Sequence, residues 1–373
     1  MEQATMPAGI RPRLAAAVAG TLAATLMLTG CSDDSAEQGA MPATTATPTA
    51  STPTPTPSPS PTPRPDPWAK RRTYTIMFLG GDGGPNRRGV RTDSVIVAVV
   101  NTKTGNTTLI GVPRNLQRVR FRPGTPMRER FPAGFPDFLF GIYTYGQAHP
   151  GVMPRSKHPG ADLLKDTMSY NLGLHIDNYV LANMAGFQRL INALDGVQMR
   201  VLSRIPIGGQ KTRDGTRILR YPHDYLEPGL YRHMTGRQTL WFSRSRFGST
   251  DYARMARQRC VLGGLVRQLD LRAAMGVFRR NTPPRGGALH TDIRMSRLRD
   301  LATLANRVRS AEITGITLGP PLINGADPNW SRIRSRVQAA IARTRQAHRD
   351  RTRARAAARS GELQSLDSVC RYR

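Results

Sequence analysis

One short run, Ser243–Arg259 (SRSRFGSTDYARMARQR), concentrates side chains able to do chemistry. Arginine offers a planar fork of donors that matches phosphate oxygens, and it stays charged at any working pH. Arg244 and Arg246 stand at alternate positions and point the same way if that stretch is extended. Asp251, Arg254 and Gln258 share a face if the following stretch is helical, because spacings of three and four bring side chains together. The set reads as a clamp for a phosphate or pyrophosphate. A solvated helix face in an arginine-rich protein fits the same spacing.

Two carboxylates add to the clamp. Asp82 closes the apolar run Tyr74–Leu79 after a glycine pair, and Asp93 opens the run Ser94–Val100. Ligands of layered α/β sheets bind at strand ends. Two carboxylates there can hold a hard cation such as Mg²⁺ that shares its other positions with phosphate oxygens. Alternatively one of them is a general base, or both are plain turn and cap residues. Arg114 follows Pro113 at the end of a third apolar run, Thr107–Val112, and brings another cation to the same edge. Several arginines, two aspartates and no nucleophile suit phosphoryl transfer, in which positioning and charge neutralisation carry most of the catalysis. P-loop, G-x-S-x-G and H-E-x-x-H patterns do not occur, and the seven histidines show no ligand spacing.

The elements that must position these groups alternate between strand and helix. Buried strands are predicted at Tyr74–Leu79, Ser94–Val100, Thr107–Val112, Val197–Val201 and Ile313–Leu318. Helical periodicity covers Asp162–Leu172, Met184–Leu194 and Ser331–Ala347. That alternation predicts an α/β fold, a layered sandwich with a central mixed β-sheet flanked by helices.

Charge points to anionic partners. Lysine and arginine number 55 against 25 acidic residues, a net charge of +30. Residues 343–359 hold seven arginines and one aspartate, about +6 of that total, so most of the excess lies in the body. Residues 1–31 read as a secretory leader: Arg11 and Arg13 precede the apolar run Leu14–Leu28, and Leu28-Thr29-Gly30-Cys31 looks like a bacterial lipobox with Cys31 as the lipidated residue. A short membrane anchor is the other reading. Both hold the body outside the cytoplasmic membrane, which excludes nucleic acid as the partner. Residues 32–67 form a Pro/Thr/Ser-rich linker with about 3.1 Å of reach per residue in polyproline geometry. A domain at 68–342 and an Arg-rich tail at 343–373 follow. Of three cysteines, Cys260 and Cys370 remain after Cys31, as a disulfide or as two buried thiols.

From Tyr74 to Gln268 the chain resembles the LytR-CpsA-Psr family of cell-wall glycopolymer ligases. The resemblance is carried by Phe78–Asp82, Arg91–Ser94, Gly111–Arg114, Tyr143–Gly146, Ile176–Val180, Gly186-Phe187, Leu194–Val197 and Ser243–Gln258, in order. Leu318–Val337 is similar to the C-terminal part of actinobacterial members. The resemblance implies a phosphotransferase that moves a glycopolymer from a polyprenyl pyrophosphate carrier to a peptidoglycan hydroxyl. It implies an apolar tunnel for the polyprenyl tail, with the pyrophosphate at its mouth among arginines and Mg²⁺. By motif position Asp82 and Asp93 match the acidic pair at the metal. Arg91, Arg114, Arg244, Arg246 and Arg254 match the pyrophosphate-binding arginines, and Gln258 the glutamine on the same helix. Arg91, Asp93 and Arg254 are the expected catalytic group, with Asp93 as base, while Arg257 reads as an ion-pair partner.

Two positions depart from the family pattern. Asn115 stands where members usually have aspartate, and Phe138 where many have lysine. These losses keep two other readings open: a non-catalytic binder of polyprenyl phosphates or wall polyanions, and a lipid pyrophosphatase. Catalysis would need Mg²⁺ and Asp93, whereas charge binding would persist without either and fade with salt.

Overall fold

The computed structural model describes residues 65–83, 90–212, 216–268, 276, 289–320, 323–346 and 364–370. Cys31, the leader and residues 32–64 of the linker lie outside them. Strands β1 (Thr73–Gly81), β2 (Thr92–Asn101) and β3 (Thr107–Val112) are the three apolar runs of the sequence. They pair antiparallel in turn, and β2 is buried along most of its length. On the far side of β1 lies β4 (Asn178–Asn183), parallel to it, and then β9 (Leu289–Thr291). On the far side of β3 lies β10 (Ile313–Thr317), also parallel, and then β11 (Gln364–Ser365). The result is a seven-stranded mixed sheet in the order β11-β10-β3-β2-β1-β4-β9.

Period-two alternation sends neighbouring residues to opposite faces. Met77, Leu79, Val97, Ile110 and Val112 pack under helices α2 (Leu139–Ala148), α3 (Pro159–Leu172) and α8 (Trp330–Gln346). Tyr74, Ile96, Ala98 and Leu109 pack under α4 (Met184–Ala193), α5 (Gly236–Arg244), α6 (Asp251–Gln268) and α7 (Leu298–Ser310). Helices on both faces of a mixed sheet meet the α/β expectation. A short helix α1 (Pro126–Arg130), capped by Thr125, lies between β3 and α2. Outside the main sheet, β5 (Val197–Val201) pairs with β8 (Gly229–Met234), and β6 (Ile205–Lys211) with β7 (Ile218–Leu226).

The C-terminal boundary differs from the sequence expectation of a tail beginning at 343. Helix α8 runs on to Gln346, because Thr344 is a core residue. Its hydroxyl meets Thr108 at 2.8 Å and Thr314 at 2.7 Å, and its carbonyl accepts from Asn106 at 3.1 Å. Residues 364–370 then return to the sheet as β11 and a last helical turn, α9 (Leu366–Cys370), with Leu366 buried. Cys370 is disulfide-bonded to Cys260 of α6, with the Cα atoms 5.5 Å apart. Among the described residues no helix is long and apolar enough to cross a membrane.

Candidate active site

The topology brings one set of ends together. The C-terminal ends of β1, β3, β4 and β10 and the start of β2 meet at a single edge of the sheet. Asp82 leaves β1 there, Asp93 begins β2, and Arg114 follows β3. The register shift between Gly80 and Gly81 opens the β1–β2 pair at this point. Arg91 closes the gap: its N–H donates to Asp82 Oδ1 at 2.8 Å, and its carbonyl accepts from the N–H groups of Asp82 and Asp93 at 3.0 and 3.1 Å. The guanidinium of Arg91 lies over the Phe140 ring, 5.5 Å from its centre. Helix α2 is tied to both sides of this edge: Thr144 Oγ1 donates to Val90 O, and the Phe140 N–H donates to Arg114 O.

Arg114 and Asp93 form an ion pair at 2.5 Å. Above them α6 begins with Asp251, which joins Arg254 at 3.0 Å and Arg246 at 3.6 Å. Arg254 is only 3 % exposed, and its Nε finds no hydrogen-bond acceptor. Burial pushes its pKa down; Asp251 pulls it back up and Arg114 pushes it down again. Gln258, one turn on, accepts from Ser94 Oγ at 3.0 Å and donates to Ser243 O at 3.2 Å, so it ties β2, α5 and α6 into one wall. The helical reading of Asp251, Arg254 and Gln258 therefore agrees with the fold.

Two expectations for the run are corrected. Arg244 and Arg246 do not lie on an extended segment. Helix α5, started by a capping box between Thr235 and Gln238, continues through Arg244, and Arg246 belongs to the turn after it. Arg244 stacks on Trp241 with its guanidinium 4.9 Å from the ring centre. Arg257, expected as an ion-pair partner, makes no ion pair among the described residues: it donates to the carbonyls of Phe242, at 2.7 Å, and Ser245. Those carbonyls belong to the end of α5, where helices leave acceptors unfilled, so Arg257 fastens the segment that carries Arg244 and Arg246.

Arg259 belongs to the same region and was not singled out from the sequence. It is buried across β3 and β10, donates to Thr317 Oγ1, and burial pushes its pKa down to about 10. Gly111 and Gly315 leave it room: a Cβ on either would sit 3.0 Å from its guanidinium nitrogens. A repeated Arg-x-x-x-x-Arg on a helix was the available signal, but nothing in one sequence marks which arginine is buried.

The two departures sit at this edge as well. Asn115 is exposed beside Arg114. Phe138 precedes α2 and packs against Phe140 at 5.5 Å. One turn beyond Gln258, an apolar cavity of about 170 Å³ opens between the sheet and helices α6 and α7, lined by Phe78, Ala98, Leu262, Val266, Leu301 and Leu304 among others. A larger groove of about 750 Å³ lies at the opposite end of the sheet, beside Lys165 and Asp177. Lys165 pairs there with Asp292, Asp177 with Arg71 and Arg122 with Asp166, and the groove contains none of the candidate clamp arginines.

A sequence profile of the LytR_cpsA_psr family matches residues 38–330, most of the chain. The chain belongs to the LytR-CpsA-Psr family. Among curated LytR-CpsA-Psr relatives, the polyisoprenyl-teichoic acid–peptidoglycan teichoic acid transferase TagU of Enterococcus faecalis is 29 % identical over 204 residues, 53 % of this chain and 54 % of that protein. The TagU of Halalkalibacterium halodurans is 24 % identical over 65 % of this chain and 69 % of that protein. The chain thus spans about half the length of the Enterococcus relative. Among solved structures, Bacillus subtilis TagV is similar with a TM-score of 0.50 and 20 % identity, over 72 % of this chain and 97 % of that one. This last likeness is one of fold.

Proposed function

We propose that this protein is a phosphotransferase that moves a glycopolymer from a polyprenyl pyrophosphate carrier onto a peptidoglycan hydroxyl. One observation carries the reading. Arg254, buried and with an unsatisfied donor, lies close to Arg114 and Arg246, and among the described residues the carboxylates paired with these arginines are those of Asp93 and Asp251. An unpaired buried donor is costly, and a doubly charged phosphate group is the ligand that would satisfy it bidentately. The cavity that runs along the sheet beneath α6 from Leu262 and Phe78 toward Tyr74 is apolar, as a polyprenyl tail requires.

The chemistry follows from the residues. The acceptor oxygen bonds to the phosphorus that carries the sugar, and the bond from that phosphorus to the bridging oxygen breaks. Polyprenyl phosphate leaves with the electron pair, and the acceptor proton passes to Asp93. Arg114 now occupies Asp93; moving to a phosphate oxygen, it would free the carboxylate to act as base. Arg244, Arg246 and Arg254 would bind the equatorial oxygens, and Gln258 would hold the wall between tail and headgroup. Asp82 and Asp93 are the residues that would hold a Mg²⁺ ion: backbone bonds through Arg91 bring the two residues to one sheet edge, the Asp82 carboxylate accepts from Arg91 N–H, the Asp93 carboxylate meets Arg114, and Mg²⁺ takes few protein ligands beside phosphates. When bound, Mg²⁺ supplies neutralisation of pyrophosphate charge. The proposal keeps the protein on the extracytoplasmic face of the membrane, lipid-anchored at Cys31, with the wall within reach of the linker.

Asn115 and Phe138 favour the second reading, a binder without transfer. The test uses the full chain with a polyprenyl pyrophosphate oligosaccharide and a peptidoglycan fragment, with and without Mg²⁺. A phosphodiester-linked product that needs Mg²⁺ and disappears in Asp93→Ala supports transfer. Carrier binding without product under every condition sinks it, and phosphate release without acceptor would mean a pyrophosphatase.

A further inference from the structure

The β6–β7 hairpin stands outside the main sheet. Its second strand has an exposure pattern unlike any other described strand: Ile218, Leu219 and Tyr221 are 42 %, 54 % and 72 % exposed. The pattern is not that of a half-buried strand. Ile218 and Leu219 are neighbours and point to opposite faces, so this end of the hairpin is apolar on both sides and can enter an apolar layer end-on. Cations interleave with them: Lys211 and Arg220 are exposed on the paired strands and Arg217 just before β7, and Arg204 stacks on Tyr225 at 3.7 Å from the ring centre. An unprotected apolar strand is a hazard that proteins in water usually avoid. Apolar and tyrosine side chains ringed by arginine are the composition of a segment resting at a membrane interface.

The hairpin is also joined to the clamp. Ser245 Oγ donates to Pro206 O at 2.7 Å. Gly209, at φ 77°, bends β6 so closely over Phe247 that a Cβ there would lie 2.8 Å from the ring. Lys211 lies over the same ring at 5.1 Å. Ser245 and Phe247 flank Arg246, so whatever the hairpin touches is brought beside the mouth of the candidate site.

We infer that the β6–β7 hairpin docks on an anionic lipid surface, inserting Ile218, Leu219 and Tyr221 at the headgroup boundary while Lys211, Arg217 and Arg220 meet lipid phosphates. The inference rests on the lipid-linked substrate of the proposed function for its purpose: docking presents the arginine clamp to headgroups in the membrane plane. Charge complementarity selects lipid over a second copy of this chain, since two such hairpins would place arginine against arginine.

The test is hydrogen exchange of the full chain with vesicles of phosphatidylcholine, with or without phosphatidylglycerol. Amides of 216–221 are expected to slow only with the anionic vesicles. Leu219→Asp with Tyr221→Asp, both exposed and tolerant in the folded state, is expected to weaken vesicle binding at least about tenfold. Arg217→Gln and Arg220→Gln are each expected to reduce the anionic preference about fivefold. Unchanged exchange, or equal slowing with neutral vesicles, overturns the inference. So does slowing that appears without vesicles and tracks protein concentration, which would mean self-association. With a short water-soluble carrier the Leu219/Tyr221 variant is expected to transfer like the wild type. Failure of transfer in the wild type would remove the proposed reaction and leave the vesicle result standing.

Discussion

Replacing Asp93 by alanine removes both the partner of Arg114 and the proposed base. Transfer is expected to fall at least about 100-fold, while carrier affinity measured without Mg²⁺ holds or rises because a carboxylate no longer competes for Arg114. A fall in affinity matching the loss of product would speak against the base role. Arg254 asks a different question, because it is buried. Arg254→Lys keeps the charge and loses the fork, so carrier binding measured by calorimetry is expected to weaken about tenfold or more. Asn115→Asp with Phe138→Lys tests the departures. Both positions are at least partly exposed, so stability should change little, and the product rate is expected to rise. An unchanged rate would make these positions irrelevant to transfer. The helical spacing of Asp251, Arg254 and Gln258 was legible in the sequence, but a solvated helix face fits that spacing too, and the fold supplied their placement beside Asp93 and Arg114. The buried state of Arg254 and Arg259 was not legible, since burial is set by what packs above them.

Helix α6 shows what spacing can and cannot tell. Its Asp251, Arg254 and Gln258 share a face, as the period of 3.6 requires. The preceding segment was read as extended from two alternating arginines. The capping box at Thr235 and the apolar residues of α5 outweighed that short pattern, and Arg244 ended in a helix. Arg257 then serves the helix terminus. Arg257→Ala is expected to lower stability by about 2 kcal/mol by denaturant titration, and to raise KM more than it lowers kcat, because the Arg244–Arg246 segment loosens. A pure kcat effect would count against this positioning role. Gly315→Ala would press on Arg259 across β10 and is expected to cost about 1–3 kcal/mol. Strand β4 went unread: Asn178–Asn183 is short and bounded by asparagine at both ends, and it becomes a strand because β1 offers it a parallel partner.

Across the molecule the Cys260–Cys370 bond links α6 to the last helical turn over a sequence separation of 110. Cys370→Ser is expected to lower stability by about 2–4 kcal/mol, read by thermal melting with and without reductant. An equal melting temperature in both conditions would show that β11 and α9 hold without it. The bond also stands close to function, because α6 carries both Arg254 and the wall of the apolar cavity. Loosening it should therefore weaken carrier binding along with stability.

The sequence by itself determined the layered α/β class and the three central strands, and it put forward the candidate clamp residues. Each rests on local information: apolar runs, periodicity, charge and motif order. The tertiary structure alone decided which strand ends meet, that Thr344 and Cys370 belong to the domain, that Arg257 caps α5, and that Ile218, Leu219 and Tyr221 stay exposed. These depend on long-range pairing, in which residues far apart in the chain become neighbours only after the sheet order is set.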